Sequence, residues 1–109
     1  MLKSKIHKAV VTEAQVDYIG SITIDRILMD KVDLWPGEKV LVVNNTNGRR
    51  VETYVLEGKK NTKIICMNGG AARLFSPGDN ITILAFAITD KRIKPRKILV
   101  SKNKFVRFL

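Results

Sequence analysis

The chain has 109 residues, 45% of them hydrophobic, with one cysteine, one histidine and a formal net charge of +10. That length suits one domain, and a lone cysteine beside a lone histidine excludes an intrachain disulfide and a thiolate or His-rich metal site. No apolar run reaches membrane-spanning length and no signal-peptide core is present, so the cytoplasm is the expected compartment and no membrane partner is expected.

The run Tyr18-Ile19-Gly20-Ser21-Ile22-Thr23-Ile24-Asp25 reads as a strand, with aromatic and β-branched residues on both sides of a glycine. A glycine inside a strand marks a bulge, a bend or a closely approached backbone. A serine directly after such an uncrowded carbonyl can also attack it, turning the amide into an ester and opening a route to chain cleavage. Asp25 is placed to cap a short helix over Arg26–Val32. The Pro36-Gly37 turn leads into a strand over Lys39–Asn44. Asn47-Gly48 is a two-residue hairpin signal, and a strand over Arg49–Leu56 follows it. A polar turn at Glu57–Asn61 precedes a strand over Lys63–Met67, where Cys66 reads as a small buried hydrophobe. Gly70–Leu74 is a second short helical stretch, followed by the Pro77-Gly78 turn and a strand through Ile83. Lys97–Ser101 and Phe105–Phe108 flank a Lys-Asn turn and read as a hairpin.

Leu34–Val42 matches Phe75–Ile83 at a constant offset of 41 residues. Each copy follows a short helical stretch and carries a Pro-Gly turn, an acidic residue and an alternating strand. Roughly seven or eight strands and two or three short helices, with no long crossover helix, make the fold mainly β. The pattern predicts a small closed β-barrel with a pseudo-two-fold internal repeat, residues 1–109 forming a single domain.

Eight of the last nineteen residues, Lys91 to Leu109, are Lys or Arg. One reading is an uncleaved barrel that acts as a binding module, its basic face turned to nucleic acid or a protein partner. Low aromatic content and the lack of a reading helix or stacking motif disfavour nucleic acid. A solvated basic face is preferred, with lysines guarding an edge strand and a positive field drawing in an anionic substrate.

Lys5-Ile6-His7-Lys8-Ala9, Val11-Thr12-Glu13-Ala14, Tyr18–Asp25, Asn47–Tyr54 and Asn68–Arg73 stand in an order and spacing that resembles the pyruvoyl-dependent aspartate 1-decarboxylases. The resemblance runs from Lys3 to Phe86. It implies a double-psi β-barrel and an enzyme that converts L-aspartate to β-alanine and CO2 for pantothenate, and so coenzyme A, biosynthesis. It also implies self-cleavage between Gly20 and Ser21, giving a β chain of residues 1–20 and an α chain of residues 21–109. The cofactor is then a covalent pyruvoyl group derived from Ser21, with neither pyridoxal phosphate nor a metal.

The same resemblance assigns roles. Ser21 becomes the Schiff-base former and Tyr54 the proton donor. Gly20, Ser21, Thr53 and Asn68 serve processing. Arg50 and Lys5 hold the side-chain carboxylate of the substrate, and Thr53, Gly69, Gly70 and Ala71 line its site. On the residues alone, Thr53 is an ordinary strand threonine, Asn68 a turn residue, and Arg50 and Lys5 solvated cations. The Gly69–Ala72 run also reads as a phosphate loop, but it lacks the Lys-Ser/Thr ending of one. Gly70 departs from the family pattern, which has alanine there, and the N-terminus and the basic tail depart as well.

On a regular strand Arg50 and Tyr54 share a face while Thr53 points the other way. Either a bulge intervenes or Thr53 serves a different Gly20-Ser21 centre from the one Arg50 and Tyr54 serve. The second option fits the tetramer that the resemblance implies. A homotetramer with active sites at subunit interfaces is therefore expected. A maturation factor for cleavage is compatible with the sequence.

Overall fold

The computed structural model describes residues 1–109. Nine strands are present: β1 (Leu2–Val10), β2 (Glu13–Gln15), β3 (Ser21–Asp25), β4 (Lys39–Asn44), β5 (Arg50–Gly58), β6 (Ile65–Asn68), β7 (Asn80–Phe86), β8 (Arg96–Ser101) and β9 (Lys104–Phe108). Helix α1 covers Arg26–Lys31 and a 3-10 helix covers Gly69–Leu74. The expected mainly β fold with two short helices is observed. The strand count is higher than expected because Glu13–Gln15 pairs with β6, a long-range partner that local pattern does not reveal.

Strands pair in the order β2-β6-β3-β5-β4-β7-β1-β8-β9. β1 and β2 are one segment bent at Val11-Thr12, so a strand near one end of the ladder runs on into the strand at its other end. Val11 N–H donates to Asp79 O at 3.0 Å and Thr12 N–H to Ile65 O at 2.8 Å. The segment thus runs along β7 at one end and β6 at the other. This is a small barrel consistent with the double-psi type. The β8–β9 hairpin extends from it beside β1.

The repeat is a true structural symmetry. Val42 and Ile83, which are 41 residues apart, face each other across the antiparallel β4–β7 pair. Ile24 and Ile65, at the same offset, face each other across β3–β6. Equivalent residues can be direct partners in an antiparallel pair only where a two-fold axis passes between them. All four side chains are buried in the core.

The paired Pro-Gly turns are built alike. Gly37 and Gly78 have φ of +84° and +94°, which favours glycine. Gly37 N–H donates to Val55 O at 2.7 Å, and Gly78 N–H to Val11 O at 2.8 Å. The acidic residue that follows each glycine closes its turn. Glu38 accepts from Trp35 N–H at 3.0 Å, and Asp79 from Ser76 N–H at 2.8 Å.

Asp25 caps α1 as expected, accepting from Ile27 N–H at 2.9 Å. Its carboxylate also accepts from Asn61 N–H at 3.0 Å and Lys63 N–H at 2.7 Å, so it ties the β5–β6 turn to the helix start. The C-terminal hairpin turns on Lys102 and Asn103, both left-handed, with φ of 49° and 60°. Buried Asn103 copies a strand partner: it accepts from Val10 N–H and donates to Val10 O, both at 2.7 Å.

One expected element is corrected. Tyr18, Ile19 and Gly20 are not strand but an exposed bend, and β3 begins at Ser21. The ladder stops there because Asn68, opposite Ser21, is the last residue of β6, and the chain then turns into the 3-10 helix.

Candidate active site

Ser21 and Asn68 are direct partners at the end of the β3–β6 ladder. Both are buried, Ser21 completely. Asn68 Nδ2 donates to Ser21 Oγ at 3.0 Å, and Ser21 Oγ donates to Ile19 O at 3.0 Å. The Ser21 hydroxyl is therefore held at both its proton and a lone pair, and is shielded from solvent.

Gly69 follows Asn68 with φ of +72°. A Cβ there would fall 2.6 Å from Gly20 Cα and 2.8 Å from Gly20 N, so the 3-10 helix start is seated on the Gly20 backbone. The position that needs a missing side chain is thus Gly69 rather than Gly20. A Cβ on Gly20 would meet nothing within 4 Å, and its φ lies outside the left-handed region. The close approach at Gly69 is made to Gly20 of the same chain. Gly70 is exposed and Ala71 half-buried on the next turn.

Tyr54 and Thr53 lie on β5, beside β3. The parallel β3–β5 register begins at Ile22↔Val55, so Ser21 and Tyr54 stand one step before it on neighbouring strands. Burial alternates along β5 as expected. Arg50, Glu52 and Tyr54 are exposed on one face, while Val51, Thr53 and Val55 face inward. Lys39, Glu52, Thr53 and Tyr54 line an open cleft of about 410 Å³.

Lys5 is not gathered with these groups. It sits on β1, in a row that crosses Leu84 and Leu41 to reach Glu52. Three strand spacings separate Lys5 from β5, roughly 14 Å along the sheet. Neither Lys5 nor Arg50 forms an ion pair within the chain, whereas Lys3, Arg26 and Lys39 do. Both cations remain free to receive an anion.

His7, two residues from Lys5 on β1, has a buried Nδ1 with no hydrogen-bond partner. Burial, and then the charges of Lys5 and Lys8, lower its pKa below the usual histidine value. Two residues of the site escape a reading from sequence: Thr23 and Cys66. Asn68 Nδ2 donates to Thr23 Oγ1 at 3.1 Å, and Cys66 Sγ donates to Asn68 Oδ1 at 3.2 Å. The usable signal was the period-two spacing of Ser21 with Thr23 and of Cys66 with Asn68, which puts each pair on one face of its strand.

Residues 1–106, nearly the whole chain and every group described above, match the aspartate decarboxylase family. The chain belongs to the aspartate decarboxylase family. Its relatives include proteins named aspartate 1-decarboxylase from Pelotomaculum thermopropionicum, 51% identical over 97% of this chain and 84% of the relative. Another, from Syntrophomonas wolfei, is 49% identical over 100% of this chain and 96% of the relative. A third, from Acetivibrio thermocellus, is 50% identical over 97% and 88%. Membership in the aspartate decarboxylase family makes the chain an enzyme of the carboxy-lyase class, and it gives no support to the binding-module reading. No helix is long and apolar enough to cross a membrane. Most of the basic residues of the tail are exposed, as a solvated face requires.

Proposed function

We propose that this chain cuts itself between Gly20 and Ser21 and then decarboxylates L-aspartate to β-alanine and CO2, supplying pantothenate synthesis. The observation that carries the reading is the packing around one peptide bond. Ser21 Oγ accepts from Asn68 Nδ2 at 3.0 Å while Gly69 is seated on the Gly20 backbone.

In the proposed maturation Ser21 Oγ attacks the Gly20 carbonyl carbon, and the C–N bond breaks as the ester forms. The Ser21 amine takes up the hydroxyl proton. Loss of the α-hydrogen then expels the Gly20 carboxylate and leaves dehydroalanine at position 21. Water hydrolyses this to a pyruvoyl group and ammonia. The products are residues 1–20 and 21–109. Asn68 offers a fixed donor at the oxygen where charge changes, and such preorganised donors lower barriers of this type. Thr53, two steps before the start of the β3–β5 register on the neighbouring strand, is assigned to the same processing step.

The residues at position 21 fit a pyruvoyl group: a buried strand start with an amide donor and a glycine-seated neighbour. Such a ketone supplies an electrophile for the substrate amine and an electron sink for the departing carboxylate. Arg50 offers a planar fork to the side-chain carboxylate of aspartate, and Lys5 adds charge. Tyr54, exposed and one step before the β3–β5 register, is assigned as the proton donor to the carbon that loses CO2. Thr53, Gly69, Gly70 and Ala71 are assigned to the substrate wall.

Because Lys5 lies three strands from β5, one chain does not set it beside Arg50 and Tyr54. A homotetramer with sites at subunit interfaces supplies that proximity, and the cytoplasm is its proposed compartment. The test is denaturing intact-mass measurement of the purified chain, followed by an aspartate-to-β-alanine assay. Two fragments split after residue 20, the longer one blocked by pyruvoyl, and β-alanine formation are expected. An uncut chain that persists on prolonged warming counts against unaided cleavage.

A further inference from the structure

We propose that Cys66 and Thr23 are positioning residues for self-cleavage, holding the Asn68 amide so that its NH2 group, and not its carbonyl oxygen, faces Ser21. The inference rests on the cleavage reading above and deepens it.

Four side chains form a square on one face of the β3–β6 pair. Ser21 stands opposite Asn68 and Thr23 opposite Cys66. Asn68 occupies the corner that reaches the other three. Its Nδ2 donates across to Ser21 Oγ at 3.0 Å and diagonally to Thr23 Oγ1 at 3.1 Å. Its Oδ1 accepts from Cys66 Sγ at 3.2 Å along the same strand. Both N–H groups and the carbonyl oxygen of this buried amide are therefore occupied.

The two ends of an Asn amide have nearly the same shape, and only their partners decide which way it points. Hydroxyls do not decide it, because Ser21 and Thr23 can each donate or accept. A thiol does, since S–H donates while its sulfur is a poor acceptor. Burial, and then the neighbouring Glu13, push the Cys66 thiol pKa up, which keeps the proton on sulfur. Cys66 thus selects the amide orientation, and Thr23 takes the N–H that Ser21 leaves free.

The orientation matters because of what faces the reacting oxygen. An N–H beside Ser21 Oγ stabilises negative charge as the hydroxyl loses its proton. A carbonyl oxygen in the same place would oppose that charge.

The experiment compares the full chain with Cys66→Ser, Cys66→Val, Thr23→Ser and Thr23→Val. Fragment appearance is followed by mass, and thermal midpoints are measured in parallel. Thr23→Ser keeps its hydroxyl and is expected to cleave within about twofold of wild type, while Cys66→Ser, whose hydroxyl can accept as well as donate, is expected to cleave more slowly than wild type but faster than Cys66→Val. The valine variants keep bulk and lose the polar group, and are expected to cleave roughly tenfold more slowly. A purely packing role predicts the reverse order at position 66, with valine tolerated and serine not. Valine variants that match the wild-type rate overturn this proposal alone. A wild-type chain that never cleaves overturns the cleavage reading itself, and the positioning role falls with it. Thr23→Val is nearly isosteric, so the pair at position 23 decides the matter even where Cys66→Val fails to fold.

Discussion

Asn68 Nδ2 lies 3.0 Å from Ser21 Oγ, across a ladder in which the two residues are direct partners. A register shift of one residue would turn Asn68 to the opposite face and away from the hydroxyl. Asn68→Ala is expected to slow cleavage about tenfold to a hundredfold, the range spanned by an ordinary hydrogen bond and a preorganised donor. Mass measurement of full-length chain against time after synthesis checks this. Cleavage at the wild-type rate would remove Asn68 from the processing machinery.

Two neighbouring glycines should respond oppositely to alanine. Gly69→Ala places a Cβ against Gly20 backbone in a left-handed conformation, and a cost of about 1–3 kcal/mol in stability is expected with loss of cleavage. Gly20→Ala enters open space at an ordinary φ, so the fold should keep its stability to within about 1 kcal/mol. Denaturant titration of both variants reads the contrast. Any cleavage defect in Gly20→Ala then reports the chemistry at its carbonyl and not a damaged fold.

Arg50→Ala should separate maturation from turnover. Arg50 is exposed and makes no ion pair in the chain, so cleavage and stability are expected to be unchanged. Loss of a charge-assisted contact to the substrate carboxylate is expected to lower kcat/KM for aspartate about ten- to a hundredfold. Undiminished turnover would move substrate recognition elsewhere.

The fold was legible where one residue decides a local shape. Asp25 as a cap and the Lys102-Asn103 turn follow from the hydrogen bond or φ that those residues supply; the β4–β5 hairpin also forms, but through a loop longer than the two-residue Asn47-Gly48 turn, closed by Asn44 N–H donating to Arg49 O at 2.7 Å. Cys66 is buried as its surroundings suggested, but its bond to Asn68 depends on conformation that composition does not encode. The pairing of Ser21 with Asn68 depends on strand register 47 residues apart, and neither segment specifies it alone. Gly20 reads as a bend or a closely approached backbone and is both, but the residue that must lack a side chain for that approach is Gly69, because it is the 3-10 helix that packs down on the bend. Lys5 and Arg50 were matched to the family by sequence, but their wide separation is visible only once the strand order is known.

His7 gives a pH signature. Its pKa is lower in the folded chain than the ordinary value of 6.5, so the unfolded chain binds the proton more readily. The stability linked to keeping His7 neutral is fully present above pH 6.5 and is lost as pH falls through the lower folded value. Between about pH 5 and 6.5 most carboxylates do not titrate, so the slope there belongs largely to this residue. Thermal midpoints of wild type should fall across that window, and those of His7→Leu should fall less. Equal slopes would show that His7 contributes nothing to the pH dependence.

The placement of β1 has a consequence for the matured molecule. Residues 1–20 hold β1, hydrogen-bonded between β7 and β8, and β2, which pairs with β6. A cut after Gly20 leaves this peptide built into the wall, with Ile6, Ala9 and Val11 buried in the core. Before the cut, folding is a first-order event within one molecule. Afterwards the same architecture is a two-component complex, so reassembly after melting requires an encounter between separate chains and depends on their concentration. Maturation would make the enzyme the kinetic product of a precursor that folded while still whole, and heat damage would then be far harder to reverse.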